Sequence, residues 1–171
     1  MNKPLLKNVS AYISLGSNMG AKKVNLMSAI KLIADRDNMD IIEISPFYKT
    51  EPVDYIDQDW FVNAVLKVKT SEQPEQLLKI LKGIEVQLKQ KKKKVRFGPR
   101  IIDLDIIYYG ERIVNTEKLV IPHPRMHKRC FVLKPLCDIE TKIIHPVLKF
   151  TPQELLKNID KTENQKVMPL N

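Results

Sequence analysis

The sequence predicts an α+β fold, a ferredoxin-like α/β sandwich in which helices pack on a mostly antiparallel sheet. Two observations support this prediction. Between residues 9 and 109, some segments space their apolar residues two apart, as strands do, and others space them about 3.6 apart, as helices do. The resulting order along the chain is strand, helix, strand, strand, helix, strand.

The four strands of this pattern are predicted at residues 9–15, 41–48, 61–68 and 101–109. The turn residues Gly16, Ser17 and Asn18 end the first strand. Pro46 has no amide hydrogen to donate, so the second strand lies at an edge or contains a bulge. The third strand presents an apolar face formed by Val62, Ala64, Leu66 and Val68.

Two helices connect the strands. Leu26, Ile30 and Ile33 have the spacing of one helix face, which predicts the first helix. Pro74 is favoured in a first helical turn and opens the second helix. The apolar stripe of that helix consists of Leu77, Leu81, Ile84 and Leu88.

Smaller elements follow residue 110. Short apolar segments at 113–114 and 119–121 predict a hairpin. Met126, Cys130 and Leu133 have helical spacing and predict a further helix, which Pro135 is expected to stop. Thr151 and Glu154 form a capping box that begins a short last helix. From residue 161 onward the tail is polar and is expected to fray.

Length and composition predict one domain over residues 1–171, with its core at about residues 9–160. The chain is 43% hydrophobic and 29% charged, which is typical of soluble globular domains. Residues 1–7 lack the apolar stretch of a secretion signal, and no segment approaches the roughly 18–20 apolar residues of a membrane span. We therefore expect a cytoplasmic protein whose two cysteines, Cys130 and Cys137, are reduced.

The positive charge of the chain is concentrated in one segment. The formal net charge is +9, from 29 Lys and Arg against 20 Asp and Glu. No acidic residue occurs between Val86 and Ile102. Cations in that interval are Lys89, Lys91, Lys92, Lys93, Lys94, Arg96 and Arg100. This concentration favours a local anion-binding site over a uniformly basic surface.

Asp103 and Asp105 interrupt the apolar pattern of the fourth strand. Because side chains alternate along a strand, both carboxylates point the same way, about 7 Å apart at about 3.3 Å per residue. Ile102, Leu104 and Ile106 then fill the opposite, core-facing side. Mg²⁺ needs only one or two carboxylates when phosphates complete its coordination. Beside a basic segment, the pair favours a metal–phosphate site; the alternative is a half-exposed strand whose solvent face carries two acids.

Residues 96–107 resemble the signature of the 6-hydroxymethyl-7,8-dihydropterin pyrophosphokinases of folate biosynthesis. That signature is a basic residue, any residue, Gly, a small residue or Pro, Arg, two further residues, Asp, an aliphatic residue, Asp and two aliphatic residues. The segment satisfies each position. Segments 11–18, 47–52, 61–64, 121–126 and 129–131 resemble other parts of the family in the same order. The resemblance covers roughly residues 9–150.

The resemblance implies transfer of pyrophosphate from ATP, the co-substrate, to the hydroxymethyl oxygen of the pterin, with release of AMP. Two Mg²⁺ ions on Asp103 and Asp105 would bridge the ATP phosphates and the acceptor oxygen. The implied catalytic residues are Arg100, Asp103, Asp105, Lys92 and Arg96, of which Lys92 and Arg96 belong to a mobile loop that closes over ATP. The implied ATP contacts are Glu85, Arg100, Ile106, Lys118, His123 and Arg129.

The resemblance also implies a pterin pocket, formed by Thr50, Val53, Phe61, Asn63 and Phe131. The Asn63 amide can offer a donor and an acceptor to the pyrimidinone edge, and the two phenylalanines can stack on the flat ring. Each role has a plainer alternative. His123 could be a buried or capping histidine, Arg129 a solvated helix residue, Glu85 an exposed helix acid, and the phenylalanines ordinary core residues.

Some positions depart from the family. It often has Tyr at the position of Phe61, Trp at that of Phe97, and arginines where this chain has lysines or Gln90. Lysine supplies charge without the planar fork of arginine, so phosphates would be held less tightly. Glu51, beside the pocket, is also unusual.

Two other functional classes fit parts of the pattern. A nucleic-acid-binding module would account for the lysines, but it needs aromatic motifs on central strands that the sequence lacks. A metal-dependent phosphatase or nuclease would also use the paired aspartates to bind metal, but the sequence shows no evident third carboxylate or base to activate water. We therefore expect ATP and the pterin as partners, no nucleic acid and no membrane. We also expect a monomer that can contact the next folate enzyme, to which the family is fused in some organisms.

Overall fold

The fold is described for residues 8–53, 56–88, 98–159 and 165–170 in a computed structural model. Its strands are β1 (Val9–Ser17), β2 (Met39–Ile44), β3 (Tyr48–Thr50), β4 (Phe61–Thr70), β5 (Asp103–Tyr109), β6 (Val114–Asn115), β7 (Val120–Ile121) and β8 (Val167–Pro169). Its helices are α1 (Lys22–Ala34), α2 (Pro74–Gln87), α3 (Cys130–Ile139) and α4 (Pro152–Lys157), with a 3-10 turn at Met126–Lys128. Among these described helices, none has the length and apolar character needed to cross a membrane.

Six strands form one antiparallel sheet. Its order is β5, β1, β4, β3, β8, and β2 pairs with β4 as well. The first strand of the chain thus lies between β4 and β5 and is hydrogen-bonded along both edges. β6 and β7 form a separate hairpin, as predicted. The predicted α+β, ferredoxin-like class is confirmed.

The strand predicted at residues 41–48 is divided into β2 and β3. The division falls at Ser45 and Pro46, where proline has no amide hydrogen for the ladder. Ser45 bridges the gap, since its amide donates to Val65 O (2.9 Å) and its hydroxyl accepts from Val65 N (2.9 Å). β4 therefore keeps partners along its length even though its neighbour is interrupted.

Each face of the sheet carries an apolar layer. On one face, Ile13, Leu66 and Leu104 join the buried stripes of α1 and α2. The apolar faces predicted for the third and fourth strands lie in this layer. On the opposite face, Tyr12 and Val65 pack with residues of α3 and α4. Because strands alternate their side chains, residues that do not enter the α1–α2 layer point toward the α3 side.

The prediction that Pro135 stops a helix is wrong. α3 continues through Pro135 to Ile139, and Met126 lies in the preceding 3-10 turn. A proline inside a helix costs about 3 kcal/mol. Leu133 and Leu136, which flank it, are fully buried against the sheet. Their burial contributes about 1.5–3 kcal/mol each, which offsets that cost.

The prediction of a frayed tail is wrong for residues 165–170. β8 pairs with β3, and the Leu170 amide donates to Phe47 O (2.8 Å). The pairing uses backbone groups that the outer edge of β3 would otherwise leave unpaired, and Leu170 packs against the core of the α1–α2 layer.

Two acids near the end of α3 fasten that helix to the sheet. Glu140 Oε2 accepts hydrogen bonds from the Tyr12 hydroxyl (2.5 Å) and from Lys67 Nζ (2.8 Å). The Tyr48 hydroxyl donates to Asp138 Oδ2 (2.5 Å). Burial would raise the pKa of Glu140, but the hydrogen bonds from Lys67 and Tyr12 outweigh it and lower that pKa to about 2.

We expect the protein to lose stability in acid through Glu140. Its pKa falls from the ordinary 4.5 to about 2 on folding, so its contribution is complete above pH 4.5 and is lost as the pH falls toward 2. Glu140→Gln should lower the free energy of unfolding at neutral pH by about 1.5–3 kcal/mol, because it removes a charged hydrogen-bond acceptor. Urea unfolding at several pH values measures both effects.

Glu111→Gln is the matched control, because Glu111 is an exposed glutamate. It should leave the acid dependence of unfolding unchanged. If Glu140→Gln and the wild type had the same acid dependence, the role assigned to Glu140 would be wrong.

Candidate active site

A cavity of about 240 Å³ lies at the end of the sheet near Gly16. β1, β4 and β5 contribute residues to it, together with the segment after β3 and the first residues of α3. The predicted site residues that line it are Thr50, Val53, Phe61, Asn63, Arg100, Asp103, Asp105, His123, Arg129 and Phe131. Residues expected at phosphates and residues expected at the pterin ring therefore share one cavity.

The register of the sheet sets these two groups side by side. Gly16 pairs with Asp103 on β5 and with Asn63 on β4. The three residues form one row across the sheet, which we call the Asp103–Gly16–Asn63 row. Neighbouring strands are about 4.8 Å apart, so the backbones of Asp103 and Asn63 are separated by about 10 Å.

Asp103 and Asp105 share one face of β5, as predicted, while Leu104 is buried on the other face. Opposite them on β1 are the small residues Gly16 and Ser14. The side chains of Asp103 and Asp105 are 15% and 35% exposed. Both carboxylates line the cavity and are partly buried.

Each of these carboxylates has a cationic neighbour. Arg100 Nη1 donates a hydrogen bond to Asp103 Oδ2. Lys82 Nζ lies 3.9 Å from Asp105 Oδ1 and 2.6 Å from Glu85 Oε1. Burial lowers the pKa of Lys82, but the carboxylates of Asp105 and Glu85 outweigh it and raise that pKa above its ordinary value. The lysine stays charged, and both cations reduce the repulsion between the two aspartates.

Asn18 positions Arg100, and sequence reasoning missed this role. The backbone amide of Arg100 donates to Asn18 Oδ1 (2.8 Å), and the backbone amide of Asn18 donates to Arg100 O (3.1 Å). Asn18 Nδ2 donates to Gln58 Oε1 (2.9 Å), which ties in a second wall of the cavity. Asn18 was predicted only as a turn residue. Lys82 was missed as well, because a lysine on a helix ordinarily indicates a solvated face.

Gly16 lies within a strand, so its prediction as a turn residue is wrong. Its lack of a side chain lets Asn63 approach the backbone closely. Gly16 and Ser17 continue β1. A Cβ on residue 16 would lie 2.7 Å from Asn63 Oδ1, well inside van der Waals contact. Asn63 Nδ2 donates to Thr50 Oγ1 (2.6 Å), and both residues are buried. The bare backbone at residue 16 therefore makes room for the Asn63 amide.

His123 is neutral at physiological pH. Burial, followed by the charges of Arg129 and Arg125, lowers its pKa from 6.5 to about 4. Its Nδ1 accepts from the Arg125 amide (3.2 Å), so the proton of the neutral ring is on Nε2. The guanidinium of Arg129 lies 5.3 Å from the centre of the Phe131 ring, a cation–π contact. The site thus contains an uncharged hydrogen-bond donor, His123 Nε2, and a guanidinium, that of Arg129, in contact with the Phe131 ring.

Three other predicted residues, all within the described part of the chain, do not line the cavity. Glu85 is buried and accepts from a backbone amide of β5 (2.8 Å), so its alternative as an exposed helix acid is wrong. Ile106 is in the core of the α1–α2 layer, and Lys118 is exposed between β6 and β7. Lys92 and Arg96 lie outside the described residues, as do Gln90 and Phe97.

These features are typical of one class of protein. Paired carboxylates with arginine, lysine and histidine nearby characterise enzymes that handle phosphorylated nucleotides through divalent metal ions. A buried amide and two aromatic rings in the same cavity suit a flat polar acceptor. The fold and the site together define a ferredoxin-like protein with the features of a phosphoryl-transfer enzyme.

The chain belongs to the 7,8-dihydro-6-hydroxymethylpterin-pyrophosphokinase family, whose model matches residues 12–141. A 2-amino-4-hydroxy-6-hydroxymethyldihydropteridine pyrophosphokinase of Bacillus subtilis is 42% identical over 132 residues, which are 77% of this chain and 78% of that protein. The folic acid synthesis protein fol1 of Pneumocystis carinii is 42% identical over 164 residues. That match covers 96% of this chain but only 22% of the fungal protein.

A solved structure shares the fold. The wild-type HPPK-DHPS of Plasmodium falciparum, crystallised with pterin and p-hydroxybenzoate, superposes with a TM-score of 0.71 at 19% identity. The match covers 96% of this chain and 47% of that chain. This chain therefore spans less than half of the two-part parasite protein and about a fifth of fol1.

We expect Gly16→Ala to destabilise the protein and displace Asn63. The added Cβ would overlap Asn63 Oδ1, and overpacking of this kind costs about 1–3 kcal/mol. Gly83→Ala is the matched control, because a Cβ there meets nothing within 4 Å and Gly83 lies in α2. That control should raise stability by about 0.5–1 kcal/mol. Equal effects of the two variants in urea unfolding would contradict the close approach at Gly16.

We expect the His123 ring to titrate near pH 4 in the free protein and at higher pH when inorganic triphosphate binds. Anionic oxygens near Nε2 stabilise the charged ring, so the direction of the change is upward. Side-chain NMR during a pH titration measures it, with His127 as the internal control, because His127 does not line the cavity. A His123 midpoint near 6.5 that triphosphate does not move would contradict the assignment.

Proposed function

We propose that this chain transfers the pyrophosphoryl group of ATP to the hydroxymethyl oxygen of 6-hydroxymethyl-7,8-dihydropterin, the activity that its family description names. The acceptor hydroxyl gives up its proton to solvent and its oxygen forms a bond to the β-phosphorus. The bond from that phosphorus to the α–β bridging oxygen breaks, and AMP leaves with that oxygen. The Asp103–Gly16–Asn63 row carries the proposal, because it sets a carboxylate that could hold metal and a buried amide that could bind the ring about 10 Å apart in one cavity.

The donor set of β5 fits Mg²⁺. Asp103 and Asp105 supply hard oxygen ligands, and phosphate oxygens with water can complete the octahedral coordination. We assign two Mg²⁺ ions to these carboxylates. When bound, such ions neutralise phosphate charge and orient the acceptor oxygen.

Arg100, His123 and Arg129 are the proposed phosphate ligands. Arg100 already contacts Asp103, so its guanidinium can bridge that carboxylate and a phosphate oxygen. His123 offers its Nε2 hydrogen without adding charge, while Arg129 supplies a planar fork that can bind two oxygens. We further propose that Lys92 and Arg96, outside the described residues, belong to a loop that closes over ATP and excludes water.

Asn63 is the proposed anchor of the pterin. Thr50 Oγ1 occupies one hydrogen of its amide, which fixes the orientation of the carboxamide. The second amide hydrogen and the oxygen can then pair with the pyrimidinone edge. Phe61 and Phe131 line the same cavity and can stack on the ring, a contact worth about 0.5–1.5 kcal/mol per aromatic pair.

Further parts of the proposal rest on the family. They are nucleotide contacts by Glu85, Ile106 and Lys118, a cytoplasmic location and action as a monomer. A contact with the next folate enzyme is supported by the Plasmodium chain, in which an HPPK part is joined to a DHPS part. Release of AMP from a mixture of the protein, ATP, Mg²⁺ and the pterin tests the central reaction.

We expect Asp103→Asn and Asp105→Asn each to lower turnover at least about 100-fold, because several kcal/mol of metal-dependent charge stabilisation are lost. Asparagine keeps the size and an acceptor oxygen, so the fold should persist. Asp40→Asn, an exposed change on β2, is the matched control and should leave turnover unchanged. AMP release by either site variant at the wild-type rate would contradict the metal assignment, as would wild-type release that EDTA does not stop.

A further inference from the structure

The C-terminal segment reaches the candidate active site through Gln165. This residue lies beyond residues 12–141, the part of the chain that the family model matches. Its side-chain Nε2 donates to Glu51 O (2.7 Å), and its Oε1 accepts from the Phe131 amide (3.2 Å). Glu51 and Phe131 both line the cavity, on different elements. One carboxamide therefore joins two walls of the cavity.

The bond to Phe131 satisfies a backbone group that α3 leaves open. The first amides of a helix have no partner within it, and the residue before α3, Arg129, makes no side-chain cap. Phe131 is the second residue of α3. Gln165 thus caps α3 from a distant part of the chain, at the residue whose ring is proposed to stack on the pterin.

The bond to Glu51 is one of several that fix this wall. The Glu51 amide donates to Lys166 O (3.0 Å), and the Lys166 amide donates to Glu51 Oε2 (3.0 Å). Lys166 Nζ also lies 3.6 Å from Glu51 Oε1. These contacts continue the pairing of β3 with β8, so Glu51 and Gln165 form a stable unit. They also account for the unusual glutamate at position 51, whose carboxylate is engaged by Lys166.

The donor and acceptor of Gln165 match the two walls in only one orientation. A carbonyl on one wall requires the NH₂ group, and an amide on the other requires the oxygen. The neighbouring Lys166 pairs with Glu51 and so anchors the Gln165 backbone at one wall. The length of the glutamine side chain then sets how far away the Phe131 amide lies. Asparagine is shorter by one methylene and cannot make both hydrogen bonds without moving a wall.

We propose that Gln165 is a positioning residue that sets the width of the pterin side of the cavity. It acts through Phe131 and the segment at Glu51, and it is not placed to touch the reacting atoms. The proposal rests on the proposed function for the identity of the ligand. Its distinctive consequence is a stronger effect on the pterin than on ATP. The two aspartates, Arg100 and His123 are held by β5, Asn18 and the region around His123, while Arg129 contacts the Phe131 ring.

The test compares Gln165→Met, Gln165→Glu and Gln165→Asn with the wild type in the full chain. Gln165→Met keeps the length but loses both hydrogen bonds, and we expect its KM and Kd for the pterin to rise about five- to tenfold, with the KM for ATP changing by less than about twofold. Gln165→Glu keeps the acceptor for the Phe131 amide and should fall between the wild type and Gln165→Met. Gln165→Asn should resemble Gln165→Met although it is polar.

Met168→Ala is the matched control, since Met168 is an exposed residue of β8. It should leave both KM values unchanged. Hydrogen exchange of the Phe131 amide gives a readout at the proposed contact, and it should accelerate in Gln165→Met but not in Met168→Ala.

The outcomes separate this inference from the proposed function. A wild-type protein that binds no pterin would overturn the proposed function. If the wild type binds pterin and Gln165→Met binds it equally well, the positioning role is wrong. A purely structural role would lower the melting temperature of Gln165→Met and leave its pterin KM unchanged, which would also overturn the inference.

Discussion

The candidate site depends on the registration of three strands at Gly16. Pairing of β1 with β4 and β5 fixes Asn63 and Asp103 in one row, and no loop conformation has to be maintained to keep them together. Glycine weakens a strand, because it gives up more conformational freedom and packs no side chain. At this position it permits an approach that any larger residue would block. The central strand thus gives up some local stability so that a polar group can sit over its backbone.

Electrostatics around this row follow from the same geometry. The two aspartates share one face because they are two residues apart, and each has a cation within 4 Å or in direct hydrogen-bond contact. Burial next to Arg129 and Arg125 keeps His123 neutral, so the region does not accumulate another positive charge. The cavity therefore contains both signs of charge in close contact, in contrast to the uniformly basic segment suggested by composition.

Sequence patterns predicted those parts of the fold that depend on local periodicity. The faces of β4 and β5, the stripes of α1 and α2, and the capping box at Thr151 are of this kind. Contacts between distant segments left no such pattern. Gly16 and Asn18 resemble turn residues, because their partners on β4 and near Arg100 are far away in sequence. β8 pairs with β3 through its backbone. α3 continues past Pro135 because its leucines are buried against the sheet, which the sequence of α3 alone does not show.

The ion pair between Arg100 and Asp103 has a consequence for the way the proposed ligands would enter. A metal ion approaching Asp103 would meet a carboxylate that already has an internal counterion, so bare Mg²⁺ would compete with a guanidinium whose Nε donates to Gly98 O. A nucleotide carrying its own metal brings an anion that the displaced guanidinium can bind. Under the proposed function, loading would amount to an exchange of ionic partners in which metal and nucleotide assist each other's binding.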